Sequence, residues 1–290
     1  MQKNRDFVVL TDSACDMPEV TRKYYGIEML NFGIALNGKA YFESEDFTPQ
    51  EFYDILRNYD NIPLTSQISM QRFLDKMMDI EDSGCRQLLY VSINSSGSGT
   101  YNNAMAARDQ FYAAQPDSQM EIYIVDSHTY SMAYGWYVAM AVQKLCDGED
   151  MPAVVAWLED AFSRVEIVLA AYSLKHMKKS GRISAAAAIT GDLLGIRPII
   201  SLNDGVSEVQ NRVRGNQNIH PAMMEYIEEK RTSDFYIVGG TDEDDIVSLA
   251  NQCEERWGVP PGGIFFLGSA VSSNTGPDAI AIVFTGKKRR

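Results

Sequence analysis

Gln87-Leu88-Leu89-Tyr90-Val91-Ser92-Ile93-Asn94-Ser95-Ser96-Gly97-Ser98-Gly99-Thr100 runs from an apolar segment, through hydroxyls and glycines, into the helix-compatible stretch Tyr101 to Ala114. A buried strand that turns directly into a helix is the repeating piece of a parallel α/β sheet. The turn itself, Ser95 to Thr100, has the character of an anion site. Glycines let a ligand approach the backbone, N–H groups at a helix start point outward, and the helix end carries about half a positive charge. The chemistry fits a carboxylate or a phosphate, with a capped flexible loop as the structural alternative. No lysine follows the last glycine as in a phosphate-binding P-loop, and no serine has the flanking glycines of a nucleophile elbow.

Working outward, the first half repeats the same grammar. Phe7 to Leu10 reads as a strand, Pro18 to Tyr25 as a helix stopped by Gly26, and Ile27 to Leu36 as extended chain with a tight hairpin at Asn37-Gly38. Thr48-Pro49-Gln50-Glu51 is a capping box that opens a helix at Phe52, and Ser69 caps another from Met70 to Met78. Glu121 to Val125 leads into the segment Tyr134 to Leu145. After a helix from Ala153 to Phe162 the pattern changes. Ile199 to Leu202 and Val206 to Val209 flank Asn203-Asp204-Gly205 as an antiparallel hairpin, followed by Phe235 to Val238, a helix from Asp244 to Trp257, and apolar runs at Ile264 to Leu267 and Ala279 to Phe284. The expected fold is therefore α/β with two domains, 1–162 on a mainly parallel sheet and 163–290 on a mainly antiparallel sheet with flanking helices. No low-complexity linker separates them.

The 290 residues carry 26 Lys and Arg against 39 Asp and Glu, a formal charge of -13 that disfavours nucleic acid and anionic lipid surfaces. No apolar run approaches the roughly 18 residues of a membrane span, which sets the expected address as cytoplasmic, without stable membrane insertion. Cys15, Cys85, Cys146 and Cys253 show no paired spacing, and His128, His176 and His220 fit no metal motif, so no metal or cofactor is expected.

Other polar residues gather at strand ends. Thr11-Asp12-Ser13 and Asp126-Ser127 fall at the carboxyl edge of the parallel sheet, where open α/β sheets bind ligands, though both pairs equally suit chain turns and helix caps. Thr65-Ser66-Gln67 after Pro63 reads as an ordinary capping turn unless its position makes it more. Lys178-Lys179-Ser180-Gly181-Arg182 is a basic loop in an acidic chain, suited to an anion or to solvent. His128 beside Asp126 does not by itself make a catalytic triad. Lys287 to Arg290 reads as a solvated tail.

In order and spacing, Thr11-Asp12-Ser13, Thr65-Ser66-Gln67, Ser98-Gly99-Thr100-Tyr101, Asp126-Ser127, Gly181-Arg182-Ile183-Ser184, Arg197-Pro198-Ile199-Ile200, Asp204-Gly205, Arg214-Gly215 and Thr275-Gly276-Pro277 resemble the DegV family of bacterial fatty-acid-binding proteins. The resemblance implies two α/β domains with one long-chain fatty acid in the cleft between them. It also implies binding rather than catalysis, the carboxylate being offered to a separate fatty acid kinase. Carried over by motif, Thr65 and Ser98 hold the carboxylate, Arg182 and Asn274 belong to the ligand site, and Arg214 faces the partner. Ser66, Ser95, Gly99, Thr100, Asp126, Ser127 and Gly276 are expected as support. The chain departs from the family pattern at Asn274, where histidine is usual, and at Asp278, where glycine is usual. Ser180 and Arg197 are milder replacements of glycine and lysine. Two other functions fit the residues alone: a small-molecule enzyme using the Ser95 to Thr100 turn, and a regulatory lipid-binding module without kinase coupling.

Overall fold

The computed structural model describes residues 6–59, 61–184 and 195–290. They form two compact units, one comprising the chain up to Gly33 together with Ser66–Phe162, the other Ile34–Thr65 together with Ser163–Arg290. One division between them falls between Phe162 and Ser163. The segment 34–65, which the sequence reading leaves with the first half, packs with the second unit.

In the first unit, strands β1 (Phe7–Asp12), β2 (Glu28–Leu30), β6 (Gln87–Ser92) and β7 (Glu121–Asp126) form a sheet in the order β2-β1-β6-β7, every pair parallel. Helices α1 (Glu19–Tyr25), α3 (Met70–Asp82), α4 (Thr100–Ala114), α5 (Met132–Cys146) and α6 (Met151–Phe162) surround it, α3 packing with α4, and α5 with α1 and α6. The crossover from β1 to β2 runs one way across the sheet and that from β6 to β7 the other. Right-handed connections then leave β1 and β6 toward opposite faces, opening a crevice between their carboxyl ends.

In the second unit the expected Asn37-Gly38 hairpin joins β3 (Gly33–Leu36) to β4 (Lys39–Phe42), both turn residues having positive φ. The capping box at Thr48 closes as expected on α2 (Pro49–Asn58): the Thr48 hydroxyl accepts the Glu51 N–H while the Glu51 carboxylate accepts the Thr48 N–H. Leu64–Ser66 is a strand, β5, bordering β3 in a three-stranded sheet, not the capping turn expected there. The cap of α3 is Ser69 alone.

The large sheet has the order β10-β9-β8-β13-β11-β12, where β8 is Val165–Ala171, β9 Ile196–Asn203, β10 Val206–Arg214, β11 Tyr236–Gly240, β12 Ile264–Phe266 and β13 Ala279–Thr285. All pairs are antiparallel except β11 with β12. Val168, Ala170, Ile280, Ile282 and Phe284 pack on its face against helices α8 (Ile219–Lys230) and α9 (Glu243–Trp257). Two short helices, α7 (Lys175–Ser180) and α10 (Ser269–Thr275), pack together in this unit. The sequence reading missed α7, α8 and α10, whose apolar residues are interrupted by Lys in α7, by His, Pro and Glu in α8, and by Ser and Asn in α10.

The basic terminus is pinned rather than solvated. Arg289 Nε lies 3.0 Å from the Asp204 carboxylate in the β9–β10 turn, Nη2 donates to the Val165 carbonyl at 2.8 Å, and Nη1 stands 3.6 Å from buried Glu166. Arg290 also reaches Asp204, at 3.2 Å. Burial raises the Glu166 pKa while the nearby Arg289 charge opposes that rise. Arg289→Ala should therefore cost about 1–3 kcal/mol, since it leaves a buried carboxylate short of a donor, whereas Lys287→Ala on the exposed surface should stay within about 0.5 kcal/mol. Equal denaturation midpoints for the two variants would refute this placement of the tail.

Candidate functional site

Asp12 ends β1 at the crevice and is fully buried. Its carboxylate accepts the Tyr134 hydroxyl at 2.6 Å, the Tyr90 hydroxyl at 2.9 Å and the Ile93 N–H at 3.0 Å. Removal from water outweighs these donors and pushes its pKa up from 3.8 to about 6. The Asp-Ser pair at this strand end is thus structural. It holds β6 and α5 to the end of β1, and Ser13 likewise accepts the Phe32 N–H at 2.9 Å.

Beyond Ile93 the turn is closed on itself. Buried Asn94 accepts the Ser96 N–H and hydroxyl on its side chain, and the Gly97 and Ser98 N–H groups on its carbonyl. Asp126 accepts the Ser95 N–H at 3.2 Å and the His128 N–H at 2.9 Å, and its other oxygen lies 3.3 Å from His128 Nδ1. The Thr100 N–H donates to Ser98 Oγ. The outward-pointing N–H groups expected of an anion nest are therefore engaged at Ser95, Ser96, Gly97, Ser98 and Thr100. A carboxylate already sits against the turn, which disfavours a phosphate.

A hydroxyl remains. Ser98 Oγ and Thr100 Oγ1 are 2.9 Å apart, and Thr100 Oγ1 accepts the Ile68 N–H at 3.3 Å. Asn103 binds the Ile68 carbonyl at 2.7 Å, so residues 66–68 are strapped onto the start of α4. A Cβ on Gly99 would fall 2.2 Å from Gln67 Oε1, which accounts for the glycine. Ser95, Ser98, Gly99, Thr100 and Asp126 are thus drawn to one end of the first unit, while Ser66 is exposed at the end of β5. Buried Ser127 is used in its own turn, bonded to Thr129.

The remaining expected residues lie in the second unit. Thr65 stands half-buried on β5. Segment 34–65 is stitched to 267–278: the Tyr53 hydroxyl donates to the Leu267 carbonyl, buried Glu43 accepts the Ala270 N–H at 2.6 Å, and Arg57 reaches the Pro277 carbonyl and the Asp278 carboxylate, the latter at 3.6 Å. Asn274 turns one amide N–H back onto the Ala270 carbonyl at 2.7 Å. Gly276 has φ +95°, and a Cβ there would fall 3.1 Å from His176 Nδ1. Arg182, exposed after the left-handed Gly181, folds its guanidinium onto the Ser180 carbonyl. Arg214 ends β10, exposed. Glu43, Tyr90, Tyr134 and His176 escaped the sequence reading. Glu43, Tyr90 and Tyr134 are single residues whose partners lie far along the chain, and His176 is set against Gly276, 100 residues on.

The model of the DegV family, described as an uncharacterised protein family, matches residues 6–287. The chain belongs to the DegV family. A DegV domain-containing protein of Clostridium perfringens is 29% identical over 290 residues, covering 97% of this chain and 98% of that one. A DegV family protein from Thermus thermophilus, solved for its fatty acid binding, superposes with a TM-score of 0.85 at 25% identity, covering 97% of this chain and 99% of that one. A stearic acid-binding protein from Eubacterium ventriosum gives 0.87 at 21% identity over 97% and 99% of the two chains, a likeness of fold. Among the described residues, no helix is long and apolar enough to cross a membrane, and no group of three or more His, Cys, Asp or Glu could hold a metal ion.

Asp12 gives this end of the first DegV unit a pH signature. Its pKa is higher folded than unfolded, so its effect on stability is most favourable below pH 4 and is lost as pH rises through 6, an expected loss on the order of 3 kcal/mol. In Asp12→Asn that component should vanish. Denaturant titrations of both proteins at pH 4 and pH 7 measure the difference, and a constant offset between them would mean that Asp12 does not titrate in this window.

Proposed function

We propose that this DegV protein binds one long-chain fatty acid between its two units, holds the carboxylate with the hydroxyls of Thr65 and Ser98, and presents it to a fatty acid kinase rather than reacting with it. The observation that carries the reading is the state of Ser98. Its Oγ accepts the Thr100 N–H and lies 2.9 Å from Thr100 Oγ1, which accepts the Ile68 N–H, and either hydroxyl of the pair can donate to the other. A hydroxyl has two acceptor positions and one donor, so when Thr100 donates within this pair Ser98 keeps its proton for an outside acceptor. One hydroxyl proton suits a singly charged carboxylate, and hydrogen bonds to a charged group contribute roughly 1.5–3 kcal/mol each. The acyl chain adds about 0.8 kcal/mol per buried methylene, making the tail the main source of affinity. The fatty acid binding of the Thermus thermophilus relative supports the same ligand class. The engaged N–H groups and the Asp126 carboxylate weigh against an enzyme acting on a phosphorylated metabolite at this turn.

Native mass spectrometry with lipid extraction should find one fatty acid per chain. Thr65→Ala with Ser98→Ala should weaken oleate binding at least tenfold while unfolding stays cooperative, and more than either change alone. Undiminished affinity in a direct titration of the double variant would mean the carboxylate is held elsewhere.

The kinase step is expected to be slow with the native residues at the Thr275-Gly276 turn. Asn274 cannot become a cation, and positive charge is what stabilises phosphate where its charge gathers. Acyl phosphate formation with an added fatty acid kinase and ATP should rise in Asn274→His. It should rise little further with Asp278→Gly added, because Arg57 already faces Asp278. Fast transfer by the parent, unimproved by either change, would make Asn274 irrelevant to transfer, and a lack of transfer in all three would favour a lipid-binding module without kinase coupling.

A further inference from the structure

His176 is 4% exposed, and among the described residues neither ring nitrogen has a hydrogen-bond partner. An imidazole always carries at least one N–H, so this burial is costly unless something is meant to meet it. The ring lies against the backbone at Gly276, where a Cβ would intrude. It belongs to α7, which packs on α10, and α10 contributes a second buried orphan, the hydroxyl of Ser272. One amide N–H of Asn274 on the same helix is already spent on Ala270.

We propose that His176 is a ligand-contacting residue whose ring N–H meets the carboxylate of the bound fatty acid at the Thr275-Gly276 turn. The assignment rests on the fatty-acid reading above. It gives the orphan imidazole an acceptor of the right charge, and it supplies from α7 a group able to become a cation. Burial, with Lys175 and Lys179 nearby, lowers the His176 pKa, and Asp278 opposes this only in part. Asp278 itself is drawn to Arg57, and α10 carries no titratable side chain. A carboxylate arriving at the ring then shifts it toward the imidazolium, so binding takes up protons and strengthens as pH falls toward 6.

With only three histidines in the chain, the test is direct. Imidazole NMR titration of the full chain with and without oleate should move the His176 midpoint to higher pH and leave His128 and His220 in place. His176→Phe should weaken oleate binding about tenfold, the loss of one charge-assisted hydrogen bond, and His176→Gln should recover part of it. Thermal unfolding checks that both variants are folded, and if His176→Phe is not, the parent titration decides. Retention of oleate with an unmoved His176 midpoint overturns the assignment and leaves fatty-acid binding intact. Failure of the parent to retain oleate or any other long-chain acid overturns both.

Discussion

A carboxylate buried where two parallel strands part company sets the geometry of the first unit. β1 and β6 are neighbours, but their connections leave toward opposite faces, and main-chain pairing ends at the crevice. Asp12 bridges that gap by taking two tyrosine hydroxyls and the Ile93 N–H. The donors offset its desolvation only partly, as the raised pKa records. What the protein gains is direction. Ile93 is the last residue before the turn, so fixing its N–H aims Asn94, whose side chain and carbonyl then hold Ser96, Gly97 and Ser98. The Ser98 hydroxyl thus lies five residues beyond the main-chain N–H that Asp12 holds.

The same chain of bonds explains why the turn is selective by depletion. A glycine-rich helix start in isolation would offer several N–H groups and attract any anion, phosphate foremost. Here the N–H groups of Ser95, Ser96, Gly97, Ser98 and Thr100 are absorbed by Asn94, Asp126 and Ser98, and Asp126 adds negative charge. The Ser98 hydroxyl beside them is a donor that brings no charge of its own. A ligand with a small singly charged head and a large apolar body can meet those terms, because its affinity comes from the body.

Local signals made much of this legible in the sequence. The Thr48 capping box, the Asn37-Gly38 turn and the Gly26 helix stop act over three or four residues and appear as read. The parallel and antiparallel halves followed from the spacing of apolar runs. What was illegible is long-range pairing. Nothing near Arg289 announces Asp204 or Glu166, nothing near Glu43 announces Ala270, and Leu64–Ser66 becomes a strand only because β3 lies beside it. At Ser95 to Thr100 the motif correctly marked a polar turn but not the satisfaction of its N–H groups, of which that of Ser95 depends on Asp126, 31 residues beyond it.

The two departures from the family pattern near the Thr275-Gly276 turn acquire a joint meaning once their partners are known. An aspartate in place of glycine would ordinarily burden a carboxylate-binding region with repulsion, yet Arg57 lies 3.6 Å from Asp278 and also reaches the Pro277 carbonyl. An asparagine in place of histidine removes a titratable group, and its amide is turned into its own helix. Asp278 is therefore opposed by Arg57, and the buried imidazole of His176 across Gly276 has Lys175 and Lys179 nearby. A group that is neutral when the site is empty and inclined to protonate beside a carboxylate makes the charge of the turn depend on its occupant. A fixed cation would instead need burial with its charge unmet whenever the ligand is absent, which is the costlier arrangement.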